Sequence, residues 1–353
     1  MIKREELMLI RRDFLRLSMA TTLATAISPV LAAGSANTKL AKPKRLQAGQ
    51  TIGLIAPSSN VTENQDIAFA IDIIKSFGFK VKLGEHLYQR HGYLAGKDQD
   101  RAHDVNQMFK DPQVDGIFCL RGGYGSPRIL PYLDFDSIGR HPKVIMGYSD
   151  VTALLNAIHT KTGMVTFHGP IAAQNFSAYT LAQFKQVLFG SKPQIIAQPP
   201  PFEMVEGQAE RDNRITVIHQ GKATGELIGG NLSLMVKLVG TPYEPTYQGK
   251  ILFLEDVGEA PYRIDGMFTH LKLAGRLNEL AGIVFGKCSE CDAKDNSLSI
   301  EQVLNDHLKP LGIPVVRGLM IGHIDDNATI PIGTMAKLDT DVAGIIMLES
   351  AVS

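Results

Sequence analysis

The chain has 353 residues, 44% hydrophobic and 20% charged, with 36 basic and 36 acidic side chains that cancel to a formal charge of zero. This composition excludes a disordered or collagen-like chain. The lack of any long Lys/Arg run argues against a nucleic-acid partner or a polybasic membrane surface.

The first 32 residues form a separate object. Arg11-Arg12 are followed by Phe14-Leu15, a mild apolar run and then small residues up to Ala32. This order resembles a twin-arginine export signal. The run is too short and too rich in Thr, Ala and Pro to span a membrane, so no stable membrane insertion is expected after signal removal. The expected partner during export is the twin-arginine translocation machinery, and the expected location is the periplasm. Removing residues 1–32 leaves 31 basic and 33 acidic side chains, a net charge of −2.

Residues 33–49 read as a linker. "TIGLIAPSS" is then a short strand, "TENQDIAFAIDIIKSFGF" places Ile67, Phe69, Ile71 and Ile74 at helical spacing, and "KVKLGE" is a second strand. A polar-faced helix closes at Asp111-Pro112. "DGIFCLRGGYGSPRILPYL" and "KVIMGYSDVTALL" each run from a strand through a tight turn into a helix. Strands alternating with helices predict an α/β fold, an open doubly wound parallel sheet of flavodoxin or Rossmann character over residues 50–175. Ligands bind such sheets beyond the carboxyl ends of the strands, so "APSS", "RGGYG" and "GYSD" should share one crevice. Residues 176–221, rich in Gln and Pro, read as a linker. Residues 222–353 read as a smaller, strand-rich α/β domain: a turn and short helix in "GELIGGNLSLMVKLVGT", a strand ending at Glu255-Asp256, two further strands and a closing hairpin.

Of the three cysteines, Cys119 lies in an apolar strand and reads as a buried, inert thiol. Cys288 and Cys291 form a lone CxxC. No second ligand pair stands nearby for a metal, while an exported protein can carry a disulfide there.

Ser149 stands where a strand becomes a helix. It can be the helix N-cap, or a nucleophile with the Asp150 N–H and the helix N-terminus behind it. "GYSDV" lacks the second glycine of the G-x-S-x-G elbow. A nucleophilic serine needs a base and a group to orient that base. Glu255, with Asp256 and Glu259 as rivals, can supply the carboxylate. His323, after Gly322, can be the base, and His168 in "TFHGP" is the rival. "LRGGYGS" lacks dinucleotide-binding spacing; its glycines make a tight turn or bare backbone N–H groups toward a ligand oxygen.

Taken together, "CLRGGYGSPRILPYLD", "GYSDVTALL", "TFHGP", "GELIGGNLSLMVKLVGT", "ILFLEDVGEAPYRID" and Gly322-His323 resemble the serine LD-carboxypeptidases, the muramoyl-tetrapeptide carboxypeptidases of peptidoglycan recycling. The resemblance spans most of the chain after the signal. It implies Ser149 as nucleophile, Glu255 as acid, His323 as base, and the N–H groups of Gly123 and Asp150 as oxyanion donors. It implies peptidoglycan-derived peptides as partners, a homodimer, and no metal or organic cofactor. Arg121 and Arg263 are the candidates for binding the carboxylate of a terminal D-Ala. The microcin-C immunity proteins share the core blocks and cleave a different amide, in an aminoacyl-nucleotide ligand that they hold partly by stacking on aromatic rings. This chain has no Trp, which favours the wall-peptide reading. A third alternative is a non-catalytic periplasmic binding protein, which would not need Ser149, Glu255 and His323 to converge.

Overall fold

The computed structural model describes residues 40–353, apart from positions 191 and 343. The expected export signal, residues 1–32, and the first part of the expected linker lie outside the described residues. Five apolar runs form β1 (Thr51–Ile55), β2 (Lys80–Leu83), β3 (Gly116–Cys119), β4 (Val144–Gly147) and β5 (Thr166–His168). They pair in parallel in the order β2-β1-β3-β4-β5. This is the flavodoxin-like doubly wound order, with the reversal between β1 and β3. Every residue of β3, β4 and β5 is buried. Helices cover both faces of such a sheet, so its inner strands are apolar throughout.

The second sheet contains β6 (Ile195–Ile196), β7 (Thr216–His219), β8 (Lys222–Asn231), β9 (Ile251–Val257), β10 (Gly282–Ser289), β11 (Val315–Arg317), β13 (Met335–Asp339) and β14 (Ile345–Met347). Its order is β6-β14-β13-β8-β9-β10-β11-β7. The four central strands, β8 to β11, are parallel. The expected closing hairpin is β13–β14. The intervening β12 (Ile330–Ile332) crosses back and pairs antiparallel with β5, so the C-terminal region completes the first sheet.

Three local expectations are corrected. Residues 176–221 are more than a linker: they hold a helix, Ala178–Leu188, and the edge strands β6 and β7. Ser177 Oγ caps that helix by accepting from the Thr180 N–H at 3.1 Å. Its Phe184 is buried among the rings of Phe77, Phe118, Phe176 and Phe189. The Pro- and Gln-rich flanks concealed this apolar stripe. In the helix Asn64–Ser76, the buried residues are Ile67, Ala70 and Ile74, while Phe69 is exposed. Finally, "GELIGG" belongs to a ten-residue strand, β8. Its glycines hid it, because glycine is depleted in strands. Gly229 has φ +136°, and a Cβ there would lie 1.9 Å from the Phe253 carbonyl oxygen. A Cβ on Gly230 would lie 2.6 Å from Thr152 Oγ1 and 3.1 Å from His168 Cδ2. The bare backbone of β8 therefore lets the two sheets touch where the site is built.

Candidate active site

β4 ends at Gly147, and the chain turns through Tyr148 into a 3-10 turn, Ser149–Val151, and the helix Thr152–Thr162. Ser149 holds φ +62°, one of few non-glycine residues in the left-handed region. That conformation costs on the order of 1–3 kcal/mol and persists only where its surroundings impose it. Three glycines do so. A Cβ on Gly122 would stand 2.8 Å from Ser149 Cβ, and one on Gly147 would stand 2.9 Å from Val151 Cγ1. Gly123, with φ +104°, passes so close to Ser59 that a Cβ would meet its Oγ at 2.5 Å. The N-cap alternative for Ser149 fails. The N-cap position of the helix is Val151, and no side-chain cap bond is made there or at the 3-10 turn.

The glycine loop is tied down around Ser149. Ser59 Oγ accepts from the Tyr124 N–H at 3.0 Å. The buried Arg101 guanidinium donates to the carbonyls of Pro57 and Gly125. Asp150 is buried, and its carboxylate accepts from the Ser126 N–H at 2.7 Å while its carbonyl accepts from the Ser126 hydroxyl. The Asp150 side chain is thus a brace. Among the described residues, the backbone N–H groups of Gly123 and Asp150 enter no turn or loop hydrogen bond, which leaves both donors available.

The second sheet supplies the charge. Glu255 lies near the carboxyl end of β9 and is fully buried. Its Oε2 accepts from His323 Nδ1–H at 2.7 Å, so Nε2 is the free nitrogen of that ring. Burial would raise the Glu255 carboxyl, but His168 and His323 outweigh it and hold the group down at about 2. The approach depends on Gly322: with φ +136°, it passes so near Glu255 that a Cβ would sit 3.2 Å from Glu255 Cβ. Its N–H donates to Asn327 Oδ1, and Ser289 Oγ donates to the His323 carbonyl at 2.8 Å. The tilted Tyr148 ring lies with its centroid 4.8 Å from that of His323, which brings the Ser149 turn beside the imidazole. Among the described residues, no hydrogen bond joins Ser149 Oγ to His323. Catalytic hydrogen bonds are commonly long in unliganded enzymes and tighten with substrate.

The rivals have other duties. Asp256 accepts from Asn231 Nδ2 and from the N–H and hydroxyl of Ser233, bracing the helix Leu232–Leu238. Glu259 pairs with the exposed Arg263 at 3.4 Å. Arg121 lies by the glycine loop and donates to the Asn60 carbonyl at 3.1 Å. His168, expected in a loop, is the last residue of β5 and fully buried, with Nε2 3.7 Å from Glu255 Oε1. Sequence reasoning did not foresee the Tyr148 ring on His323 or the Ser289 clamp. Cys288 and Cys291, which flank Ser289 and Glu290, are joined as a disulfide. Cys119 is buried in β3, and burial pushes its thiol far above the usual range.

Comparison with known proteins identifies the family. Profiles of the LD-carboxypeptidase N-terminal and C-terminal domains match residues 52–169 and 224–338. A probable murein peptide carboxypeptidase of Bacillus subtilis is 41% identical over 306 residues, covering 85% of this chain and 92% of that protein. The unliganded microcin C7 self-immunity protein MccF superposes with a TM-score of 0.80 at 28% identity, over 88% of this chain and 99% of its own. A muramoyltetrapeptide carboxypeptidase from Oxalobacter formigenes does so with a TM-score of 0.69 at 32% identity, over 84% and 97%. On its sequence and its two-sheet α/β fold, the chain belongs to the LD-carboxypeptidase family.

Proposed function

We propose that the protein is a serine LD-carboxypeptidase of peptidoglycan peptides. It would hydrolyse the amide between the L-centre of a diamino acid, meso-diaminopimelate or Lys, and a terminal D-Ala. The observation that carries this reading is the pair of buried Glu255 and half-buried His323 at 2.7 Å, next to a serine held in a strained corner, in a chain of this family. His323 Nε2 takes the Ser149 proton as Oγ attacks the carbonyl carbon, and Glu255 stabilises the imidazolium that forms. The N–H groups of Gly123 and Asp150 meet the oxyanion. His323 returns the proton to the leaving D-Ala amine, and water activated by the same imidazole then hydrolyses the acyl-enzyme. Arg121, at the lip of the glycine loop, is the better placed cation for the D-Ala carboxylate, since Arg263 is occupied with Glu259.

The resemblance of residues 1–32 to a twin-arginine signal supports a periplasmic setting, with peptides of the wall or freshly released from it as substrates, and the resemblance to the family supports a homodimer. The test is incubation of purified protein with muropeptide tetrapeptides. Release of D-Ala and tripeptide is the expected result, and intact tetrapeptide at high enzyme concentration refutes it. The likeness to MccF supports a second reading, hydrolysis of another amide of the microcin-immunity kind. Turnover of an aminoacyl-nucleotide amide with no action on tetrapeptide would select it.

A further inference from the structure

Glu255 has two oxygens, and the triad uses only one. Oε2 is bound by His323, while Oε1 is buried without a hydrogen-bond partner. Facing it is a second imidazole in the same condition. His168 is fully buried, and neither ring nitrogen has a partner. Its Nε2 stands 3.7 Å from Glu255 Oε1, too far for a hydrogen bond but within direct electrostatic reach. The ring is boxed by Phe253, with centroids 5.4 Å apart, and by Tyr148 at 6.0 Å, while the Gly230 backbone crowds its Cδ2 edge. An imidazole held so deep in an apolar box, aimed at a bare carboxylate oxygen, is badly placed to be a base and well placed to grip the acid.

We infer that His168 is a positioning residue, whose Nε2–H engages Glu255 Oε1 as the site tightens on substrate. The carboxylate is then held from both sides, and His323 is oriented by an acid that cannot rotate. This deepens the proposed reading and rests on it for its activity measurements. The other titratable groups around the pair are His323, the Tyr148 hydroxyl and Asp256. Burial, then Glu255 and Asp325, push Tyr148 up to about 12. Asp256, also raised mainly by burial, is tied to Asn231 and Ser233. Neither competes for Oε1. A donor on Oε1 weakens the hold of Glu255 on the proton of His323. Its loss should therefore move the acid limb of kcat/KM to higher pH.

His168→Leu removes the donor and His168→Gln keeps one. A hydrogen bond to a charged group is worth about 1.5–3 kcal/mol, so kcat should fall about ten- to a hundredfold in the leucine variant, with KM little changed. The glutamine variant should recover most of that loss and keep the wild-type acid limb. Equal kcat in both variants with an unmoved limb would overturn the inference. A second arm needs no substrate. In the full chain with 15N-labelled histidine, the proton of His168 should reside on Nε2, and its resonance should shift in Glu255→Gln. A proton on Nδ1 with no response to Glu255→Gln would also overturn it. If wild type releases no D-Ala, the substrate reading falls, and this spectroscopic arm still decides the role of His168. It also decides should His168→Leu fail to fold.

Discussion

Ser149 and the Glu255–His323 pair come from opposite halves of the chain and are held by different physics. The serine corner is a backbone device: a left-handed residue, three glycines that clear space, and carbonyls clamped by Arg101. The acid–base pair is an electrostatic device: a carboxylate with no exposed surface, kept ionised by imidazoles. The first is damaged by adding atoms and the second by removing charge. Substitutions that leave one device intact while disabling the other therefore separate the two contributions.

The largest effect is expected where the devices meet. Ser149→Ala should abolish turnover, by a factor on the order of a million, and His323→Ala should match it because the two act as a unit. Since Ser149 makes no cap bond, the alanine variant should unfold at nearly the wild-type temperature. A loss of about 1 kcal/mol with activity retained would restore the capping role. Glu255→Gln keeps the shape and removes the charge. A loss of about ten-thousand-fold in kcat, smaller than for Ser149, is expected of an orienting carboxylate.

Gly122→Ala tests the backbone device alone. The new Cβ would press on Ser149 Cβ at 2.8 Å and Oγ at 3.1 Å. Misplacing a reacting atom by about 1 Å can lower the rate about a hundredfold, and KM should change little. Gly258→Ala is the matched control: it has φ +68° and open space around it, so it should lower stability by about 1 kcal/mol and leave kcat alone. Equal kinetics in the two variants would show that the glycine loop does not set the position of Ser149, the proposed nucleophile.

Acid separates the devices by pH. The Glu255 carboxyl lies below its ordinary 4.5, at about 2 in the fold. A depressed carboxyl contributes stability that is present above the unfolded value and is lost as pH falls through the folded one. Wild type should therefore lose stability between about 4.5 and 2, measured by chemical denaturation at each pH, and Glu255→Gln should show a flatter profile. An unchanged slope in the variant would mean that other groups govern the acid loss.

The doubly wound sheet was legible because "VIM" and "IFCL" are short unbroken apolar runs, the first ending at Gly147 and the second just before the Gly122-Gly123 turn, and buried parallel strands need that pattern. Ser149, Glu255 and His323 were legible as candidates because Ser149 and His323 follow a strand and Glu255 lies near the carboxyl end of one, the edge where such sheets bind ligands. β8 was missed because the glycines that let the sheets touch also erase a strand's signature. The return of β12 to the first sheet is a long-range pairing that no local pattern encodes. The place of His168 behind Glu255 depends on contact between two sheets, and sequence order carries no distance.

The smallest expected effect lies on the loop that carries the proposed base, His323. Ser289 donates its hydroxyl to the His323 carbonyl at 2.8 Å, from a position bracketed by the Cys288–Cys291 disulfide. The contact fixes backbone and leaves the imidazole untouched. A neutral hydrogen bond is worth about 0.5–1.5 kcal/mol, so Ser289→Ala should lower kcat about two- to tenfold. Gly322 and Asn327 still hold the other side of the turn at 3.1 Å, which is why the loss stays modest. The same Asn327 bond gives the control: if Asn327→Ala and Ser289→Ala each cost a few-fold and together cost more than their product, the two restraints compensate for each other. If Ser289→Ala alone matched the loss in His323→Ala, the loop would be held by that one hydroxyl, and the account of Gly322 as the residue that seats His323 against Glu255 would have to be given up.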